Sequence, residues 1–299
     1  MGQSMIKLER KPPWLKVPLP KGSNYAEIKS SLREKGLYTV CEEAACPNLS
    51  ECWAAKTATV MILGGVCTRA CKFCNVKTGN PKQWLDLEEP KKTAEMAKIM
   101  GLNYMVVTSV DRDDLEDFGA SHFAKVVEKI REESPKTKVE VLIPDFDGKS
   151  EHMHILAKSE PFVIAQNVET VKRLTYPVRD RRAGYEKSLD CLEFYKNHYP
   201  HITTKTSLMV GLGETWEELL EAMDDIRKAQ VDIITFGQYL RPTQRHLKVE
   251  RYYKPEEFDE LKRIAYQKGF KFVASGPLVR SSYKAADYLQ YLKDQGISV

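Results

Sequence analysis

The sequence is first defined by what it lacks. No apolar run approaches the ~20 residues that a membrane-spanning helix needs. The opening residues have no apolar core like a signal peptide's, and the prolines of the 11–20 stretch break any amphipathic transit helix. An extended arm on a cytoplasmic protein is expected. Charge of one sign is also missing. A formal net charge of +4 is too weak a bias to argue for nucleic acid, which takes a stronger, clustered basic face. It would suit a mildly acidic protein partner, although a solvated surface explains it as simply. Internal repeats and low-complexity tracts are absent, and no cysteine follows Cys191.

What is present is a chain of 299 residues, long enough to bury a sizeable core without disulfide staples. Short apolar runs alternate with amphipathic helical patterns from about residue 58 onward. Runs at 60–63, 104–107, 139–143, 162–165, 206–210, 232–236 and 270–273 read as buried strands. Between them, Phe123, Val126, Val127 and Ile130 recur at helical spacing, as do Trp216, Leu219, Leu220, Met223 and Ile226. Thr215 and Glu218 form a capping box at the start of the second stripe. Pro255 suits a first helical position, with Phe258, Leu261, Ile264 and Ala265 on one face and Gly269 as the stop.

Such alternation predicts an α/β fold: a partial (β/α) barrel of about six parallel strand–helix units, joined by right-handed crossovers, with N- and C-terminal extensions. The expected division is 1–57 as an N-terminal extension, 58–275 as the barrel and 276–299 as a C-terminal extension over the active site. Chemistry in such barrels sits at the C-terminal ends of the strands.

Six of the seven cysteines fall between Cys41 and Cys74. In a chain of this kind, patterned cysteines are metal ligands more often than disulfides. Cys67, Cys71 and Cys74 form C-x3-C-x2-C directly after the 60–63 strand and Gly64-Gly65. Three thiolates in one loop can hold three irons of a [4Fe–4S] cluster and leave the fourth open to a small molecule. Phe73, between the last two, is placed to pack on the cluster. The alternative is structural zinc, which prefers four ligands, and no fourth Cys or His lies nearby. Spacing and position together resemble the radical S-adenosylmethionine (SAM) superfamily. That resemblance implies that SAM binds the open iron and is cleaved by the reduced cluster to a 5′-deoxyadenosyl radical.

It also implies SAM-contacting elements on later strands. Gly211 and Gly213, in Val210-Gly211-Leu212-Gly213-Glu214, resemble the glycine-rich element, where small residues allow close backbone approach. The Gly-Gly-Glu that many members carry after the second strand is missing. Ser109 and Asp111 are the candidates to hold the methionine amino group instead, and for Asp113 and Asp114 a solvated loop is the alternative reading. Asn167 and Glu169 suit a polar role towards SAM or a substrate amide. Tyr239 and Arg241 suit the adenosine side.

A second triad, Cys41, Cys46 and Cys52, gives C-x4-C-x5-C just before the barrel. A cluster lacking one protein thiolate is expected there, and a set of core cysteines is the bland alternative. The order of the two triads resembles lipoyl synthases. So do Arg10-Lys11-Pro12-Pro13-Trp14-Leu15-Lys16, Thr108-Ser109-Val110-Asp111-Arg112-Asp113-Asp114, Asn167-Val168-Glu169-Thr170 and Gly276-Pro277-Leu278-Val279-Arg280-Ser281-Ser282-Tyr283.

This resemblance implies two [4Fe–4S] clusters and SAM as cofactors. It implies insertion of two sulfurs at carbons six and eight of an octanoyl chain on a lysine of a lipoyl carrier domain. The carriers implied are 2-oxoacid dehydrogenase E2 subunits and the glycine cleavage H protein. The auxiliary cluster would be the sulfur source, Ser282 its fourth ligand, and ferredoxin or flavodoxin the electron donor. No nucleic acid or membrane enters this picture. An unactivated C–H bond offers no charge for acid–base catalysis, so cofactor chemistry is needed.

Other residues read as structural. Cys191 sits in a helical pattern and is expected in the core. His152 and His154, two apart, do not share a helix face. Arg173, Arg179, Arg181 and Arg182 suit either a solvated basic loop or contacts to acidic groups of a carrier or to the SAM carboxylate. The rivals are other radical SAM sulfur-inserting enzymes, which the N-terminal triad and the Arg-Ser-Ser-Tyr tail oppose, and a non-catalytic zinc-binding protein.

Overall fold

The computed structural model describes residues 11–16, 36–43, 46, 48, 52, 59–283 and 285–297, with backbone only at 40 and 41. Most of the N-terminal arm lies outside the described residues. Pro13–Leu15 form one 3-10 turn with Leu15 buried.

Eight strands form one sheet whose spatial order follows the sequence. They are β1 (Tyr38–Thr39), β2 (Thr59–Ile62), β3 (Tyr104–Ser109), β4 (Lys138–Leu142), β5 (Val163–Ala165), β6 (Thr203–Val210), β7 (Ile233–Gln238) and β8 (Phe272–Gly276). β1 pairs antiparallel with β2, and every later neighbour is parallel. All seven runs read as strands are strands. The principal helices are α1 (Glu89–Met100), α2 (Ala120–Glu133), α3 (Ser150–Ala157), α4 (Tyr185–His198), α5 (Trp216–Lys228), α6 (Pro255–Gln267) and α7 (Asp287–Asp294). α1 to α6 are the crossovers from β2 to β8, giving six strand–helix units.

Local rules place these helices. Thr215 accepts from the Glu218 N–H while Glu218 accepts from the Thr215 N–H, so the capping box at α5 is formed. Pro255 opens α6, where its missing N–H is not needed. Phe258, Leu261 and Ala265 bury the inner face of that helix. Cys191 is 0% exposed in the core beneath α4.

The sheet curls. Met61, Thr108, Leu142, Gln166, Ser207 and Gly237, from or just after six successive strands, line one cavity. A flat sheet would spread those strands over roughly 24 Å at ~4.8 Å per strand. Among the described residues no pairing joins β8 back to β1 or β2, so the barrel is partial. Met105, Val107, Val139, Val141 and Ile164 face outward into the helical layer.

The chain beyond β8 touches both ends of this barrel. Val279, Arg280 and Ser281 line the cavity at the C-terminal ends of the strands. Gly237 makes room for this crossing, because a Cβ there would lie 2.1 Å from the Val279 carbonyl oxygen. Ala285 then packs on Tyr104 and Val106, and α7 seats Tyr288 and Leu292 against Val163 and Ile233 at the opposite end. Among the described residues no helix is long and apolar enough to cross a membrane.

Candidate active site

β2 delivers the first cysteine triad through a pinned turn. Leu63 takes a left-handed φ of 68°, a conformation that costs a branched residue energy and persists only when its surroundings impose it. Here the Leu63 N–H donates to Glu89 Oε2 at 2.8 Å and its carbonyl accepts from Arg112 Nη1 at 2.9 Å. His122 Nε2 backs Glu89 at 2.7 Å. The loop that follows is closed by backbone bonds from Cys67 to Lys77 and from Gly79 to Cys67, at 2.8 and 2.9 Å.

All three thiols line the cavity. Cys67 Sγ accepts from the Asp111 N–H and Cys71 Sγ from the Asp180 N–H, each at 3.3 Å. Burial, helped by the nearby Asp111 carboxylate, pushes the Cys67 and Cys71 thiols up to about 12, and burial raises Cys74 as well. Thiols held this way surrender their protons to a bound cation. Among the described residues no three His, Cys, Asp or Glu converge on a point as they would around one ion. A cubane cluster asks for a wider spread, one thiolate at each of three corners.

Arg69, inside the same loop, is 4% exposed. It reaches both Asp145 oxygens at 2.8 Å, Asp113 at 2.9 Å and Asp111 at 3.4 Å. Bidentate pairing of this kind fixes orientation as well as charge. Arg182 also pairs with Asp113, at 3.2 Å, so Asp111 keeps the weakest hold on Arg69. Burial, together with Asp145 and Asp113 and against the pull of Arg69, lifts the Asp111 carboxyl to about 6. Asp111 opens onto the cavity. The reading of Asp113 and Asp114 as a solvated loop is corrected: Asp113 pairs with Arg69, and Asp114 with the buried Arg112 at 2.8 Å.

The cavity holds about 480 Å³, within the range of small-molecule sites. Ser109 Oγ, Gln166 Oε1 and Asn167 Oδ1 are buried on its wall without protein partners. Asn167 Nδ2 donates to Glu169 at 3.0 Å, and Glu169 holds a left-handed φ of 71°. Burial pushes the Glu169 carboxyl up. Phe73, Tyr239 and Arg241 also line the cavity, the Tyr239 hydroxyl donating to the Leu247 carbonyl at 2.9 Å.

Gly211 and Gly213 are not among the lining residues. Both have left-handed φ, and a Cβ on Gly211 would meet Gln238 and the Arg251 carbonyl. The small size of Gly211 serves packing against Gln238 at the end of β7, while Gly213 has room for a Cβ and is set apart by its backbone conformation alone. Of the four arginines only Arg179 is buried, on Val168, Gly184 and Ser188; Arg173, Arg181 and Arg182 are exposed, Arg173 pairing with Glu218 and Arg182 with Asp180 and Asp113. His152 and His154 do not converge, His154 instead meeting the Tyr199 hydroxyl at 2.8 Å.

Of the second triad, Cys46 and Cys52 are half-buried, while the Cys41 side chain lies outside the described residues. Asn48, two residues past Cys46, donates to the Leu278 carbonyl at 2.5 Å. Arg280 is close enough to Cys46 to oppose the upward shift that burial gives its thiol. This segment and the 278–283 stretch therefore meet. Ser281 lines the cavity, and Ser282 follows it in the same turn, half-buried. Sequence reasoning did not find Arg69, Asp145, Gln166 or Arg280. Asp145 and Gln166 each follow a strand's C-terminal end, a position that flags a site in this fold.

A triad of half-buried thiols beside a cavity with orphaned polar atoms fits a cluster with a small polar ligand on its open iron. Family models agree. That of the radical SAM superfamily matches residues 61–226, and the chain belongs to it. Among solved structures, SuiB of Streptococcus suis bound to S-adenosylmethionine shares the fold with a TM-score of 0.54 at 12% identity, over 76% of this chain and 53% of that one. HydG of Carboxydothermus hydrogenoformans does so at 0.52 and 14%, over 91% and 78%. Superfamily membership implies a [4Fe–4S] cluster and SAM.

The model for the N-terminal domain of lipoyl synthase matches residues 3–46. A lipoyl synthase of Ectopseudomonas mendocina is 58% identical over 93% of this chain and 79% of its own length. One of Legionella pneumophila is 56% identical over 92% and 84%. The chain belongs to the lipoyl synthase family.

Proposed function

We propose that this chain inserts sulfur at carbons six and eight of an octanoyl group carried on a lysine of a lipoyl carrier domain. The observation that carries this reading is the meeting of two cysteine groups at one mouth. Cys67, Cys71 and Cys74 line the cavity, and Cys46 neighbours Arg280, which lines it too. When bound, the first cluster and SAM supply one-electron cleavage and hydrogen abstraction.

The chain's own residues do the rest. Cys67, Cys71 and Cys74 hold the SAM cluster. Asp111 receives the ligand's ammonium group, since it opens onto the cavity and its contact to Arg69, at 3.4 Å, is the loosest of the three that Arg69 makes. Ser109, Gln166 and Asn167 complete their hydrogen bonds on ligand polar groups, with Glu169 behind Asn167 and Tyr239 on the adenosine side. Phe73, Met61, Leu142 and Met209 supply apolar wall that excludes water and suits a saturated chain. Cys41, Cys46 and Cys52, with Ser282, would hold the auxiliary cluster, which would supply the sulfur. An alkoxide is a harder donor than thiolate and suits iron less well, so Ser282 would be the weakest of the four ligands.

In this reading residues 1–57 carry the auxiliary cysteines, 58–275 the barrel and 276–299 the closing extension. The protein works in the cytoplasm, where thiols stay reduced. E2 subunits and the glycine cleavage H protein present the substrate, and flavodoxin or ferredoxin supplies electrons. The test is anaerobic reconstitution, expected to give about eight irons per chain, followed by incubation with SAM, reductant and an octanoyl-lysine peptide. Replacing Cys67, Cys71 and Cys74 together by Ala should abolish SAM cleavage. Replacing Cys41, Cys46 and Cys52 should stop sulfur insertion and leave reductive SAM cleavage. Dithiolated product from the latter variant defeats the sacrificial role.

A further inference from the structure

The cysteine loop has a second side. Cys71, Cys74, Asn75, Val76 and Thr78 line the active-site cavity and also line a separate hollow of about 420 Å³. The loop is thus a shared wall, with the cavity on one side and this hollow on the other. The far rim of the hollow comes from Arg245, His246 and Leu247, beyond β7. Two bonds hold that rim in place: His246 Nε2 meets the Cys74 carbonyl at 3.0 Å, and the Leu247 N–H donates to the Lys72 carbonyl at 3.4 Å.

The charge of the hollow has one sign. Lys72, Lys77 and Arg245 are exposed on it, and no Asp or Glu lines it. None of the three makes an ion pair among the described residues, whereas Arg69 in the same loop and Arg182 against it are paired. Unpaired cations gathered around a concave surface attract an acidic partner and speed its arrival.

We propose that this hollow is the docking surface for a small acidic one-electron carrier protein, which reduces the cluster held by Cys67, Cys71 and Cys74 through the loop wall. The inference rests on the functional reading above, in which that cluster must be reduced in each cycle. The mouth of the cavity is taken by SAM and by the carrier domain that brings the acyl chain, so a second macromolecule needs another approach. The hollow offers one that ends at Cys71 and Cys74. One electron passes per encounter: the donor is oxidised by one, the cluster is reduced by one, and no bond or proton is exchanged at the surface.

The test uses reconstituted holoenzyme and flavodoxin as the probe. A charge-reversed variant, Lys72→Glu with Lys77→Glu and Arg245→Glu, is compared with the neutral triple change to Gln. Flavodoxin affinity is measured by titration, and cluster reduction by reduced flavodoxin or by dithionite is followed by stopped-flow absorbance. Charge reversal should weaken binding and slow flavodoxin-driven reduction by about tenfold or more at low salt. The neutral variant should fall between. The difference should shrink at about 0.5 M salt, where charges are screened within a few ångströms. Reduction by dithionite should stay within about twofold in all variants.

Unchanged affinity and rate with flavodoxin overturn the proposal. So does an equal loss with dithionite, which would mark damage to the loop, or a loss confined to the KM for the octanoylated carrier domain, which would make the hollow that partner's dock. Cluster reduction is read without product, so failure of the unsubstituted enzyme to insert sulfur counts against the functional reading alone.

Discussion

Asp145 grips Arg69 with both carboxylate oxygens, each 2.8 Å from a guanidinium nitrogen, in a place where Arg69 is 4% exposed. Because Arg69 lies between Cys67 and Cys71, this pair sets the path of the cluster loop. Asp145→Ala leaves Arg69 with Asp113 and a weaker contact to Asp111. A cost of about 3 kcal/mol in denaturant unfolding is expected, the low end for breaking a buried pair. Iron retained by the first cluster should fall in parallel. Arg69→Lys should not restore it, since an ammonium cannot match the two-pronged geometry.

Gly237→Ala tests the crossing of the C-terminal stretch. The added methyl group would collide with the Val279 carbonyl, and overpacking of this kind costs about 2 kcal/mol. The chain near 279–282 has to shift. Sulfur insertion should fall much further than SAM cleavage, measured side by side by mass spectrometry.

Asp232 gives a pH signature far from the site. Burial alone would raise its carboxyl, but hydrogen bonds from Lys196, Lys271 and the Thr204 N–H outweigh that and hold it below the usual carboxylate range. A carboxyl lowered by folding stabilises the protein above its unfolded value, near 3.9, and that contribution is lost as pH falls through the folded value. Asp232→Asn should therefore be less stable than the parent at neutral pH. Below about pH 4 the gap should narrow. A gap constant from pH 7 to pH 3 would show that the charge is not what matters.

Ser281→Ala and Ser282→Ala separate the two serines. Ser282→Ala is expected to lower auxiliary-cluster iron and abolish product, while Ser281→Ala keeps both. If only the Ser281 change does so, the ligand is Ser281, which lines the cavity. If neither does, the fourth ligand comes from elsewhere.

Cys191→Ala should cost only core packing, roughly 1 kcal/mol, with iron content unchanged. Its thiol is fully buried among apolar side chains.

Much of this was legible before any coordinates. Seven strands announced themselves because parallel strands buried on both faces read as unbroken apolar runs, and Thr215 with Glu218 marked a helix start by side-chain chemistry alone. β1 was missed, since two residues carry no period. Arg69 was missed because a charged residue between cysteines reads as solvent-facing until Asp111, Asp113 and Asp145 arrive from two other strand ends. Gly211 shows an ambiguity that sequence alone does not resolve. A glycine at a strand end suits a ligand or a neighbouring side chain equally, and here the neighbour is Gln238. The position of Cys67, Cys71 and Cys74 at the strand ends was readable because their loop directly follows β2. The meeting of Cys46 with Arg280 was not, because contacts between segments more than two hundred residues apart leave no local trace.

The stretch from 276 to 297 is synthesised after every barrel strand, yet it lines the mouth with Val279, Arg280 and Ser281 and plugs the far end with Tyr288 and Leu292. A nascent chain that has folded β1 to β8 is still open top and bottom. Both cysteine groups precede this closing segment in the chain, so Cys67, Cys71 and Cys74 are made before Val279, Arg280 and Ser281 can cross the mouth beside them. Once it has folded, whatever reaches those thiols through the mouth passes Val279, Arg280 and Ser281, the last part of the site to be made.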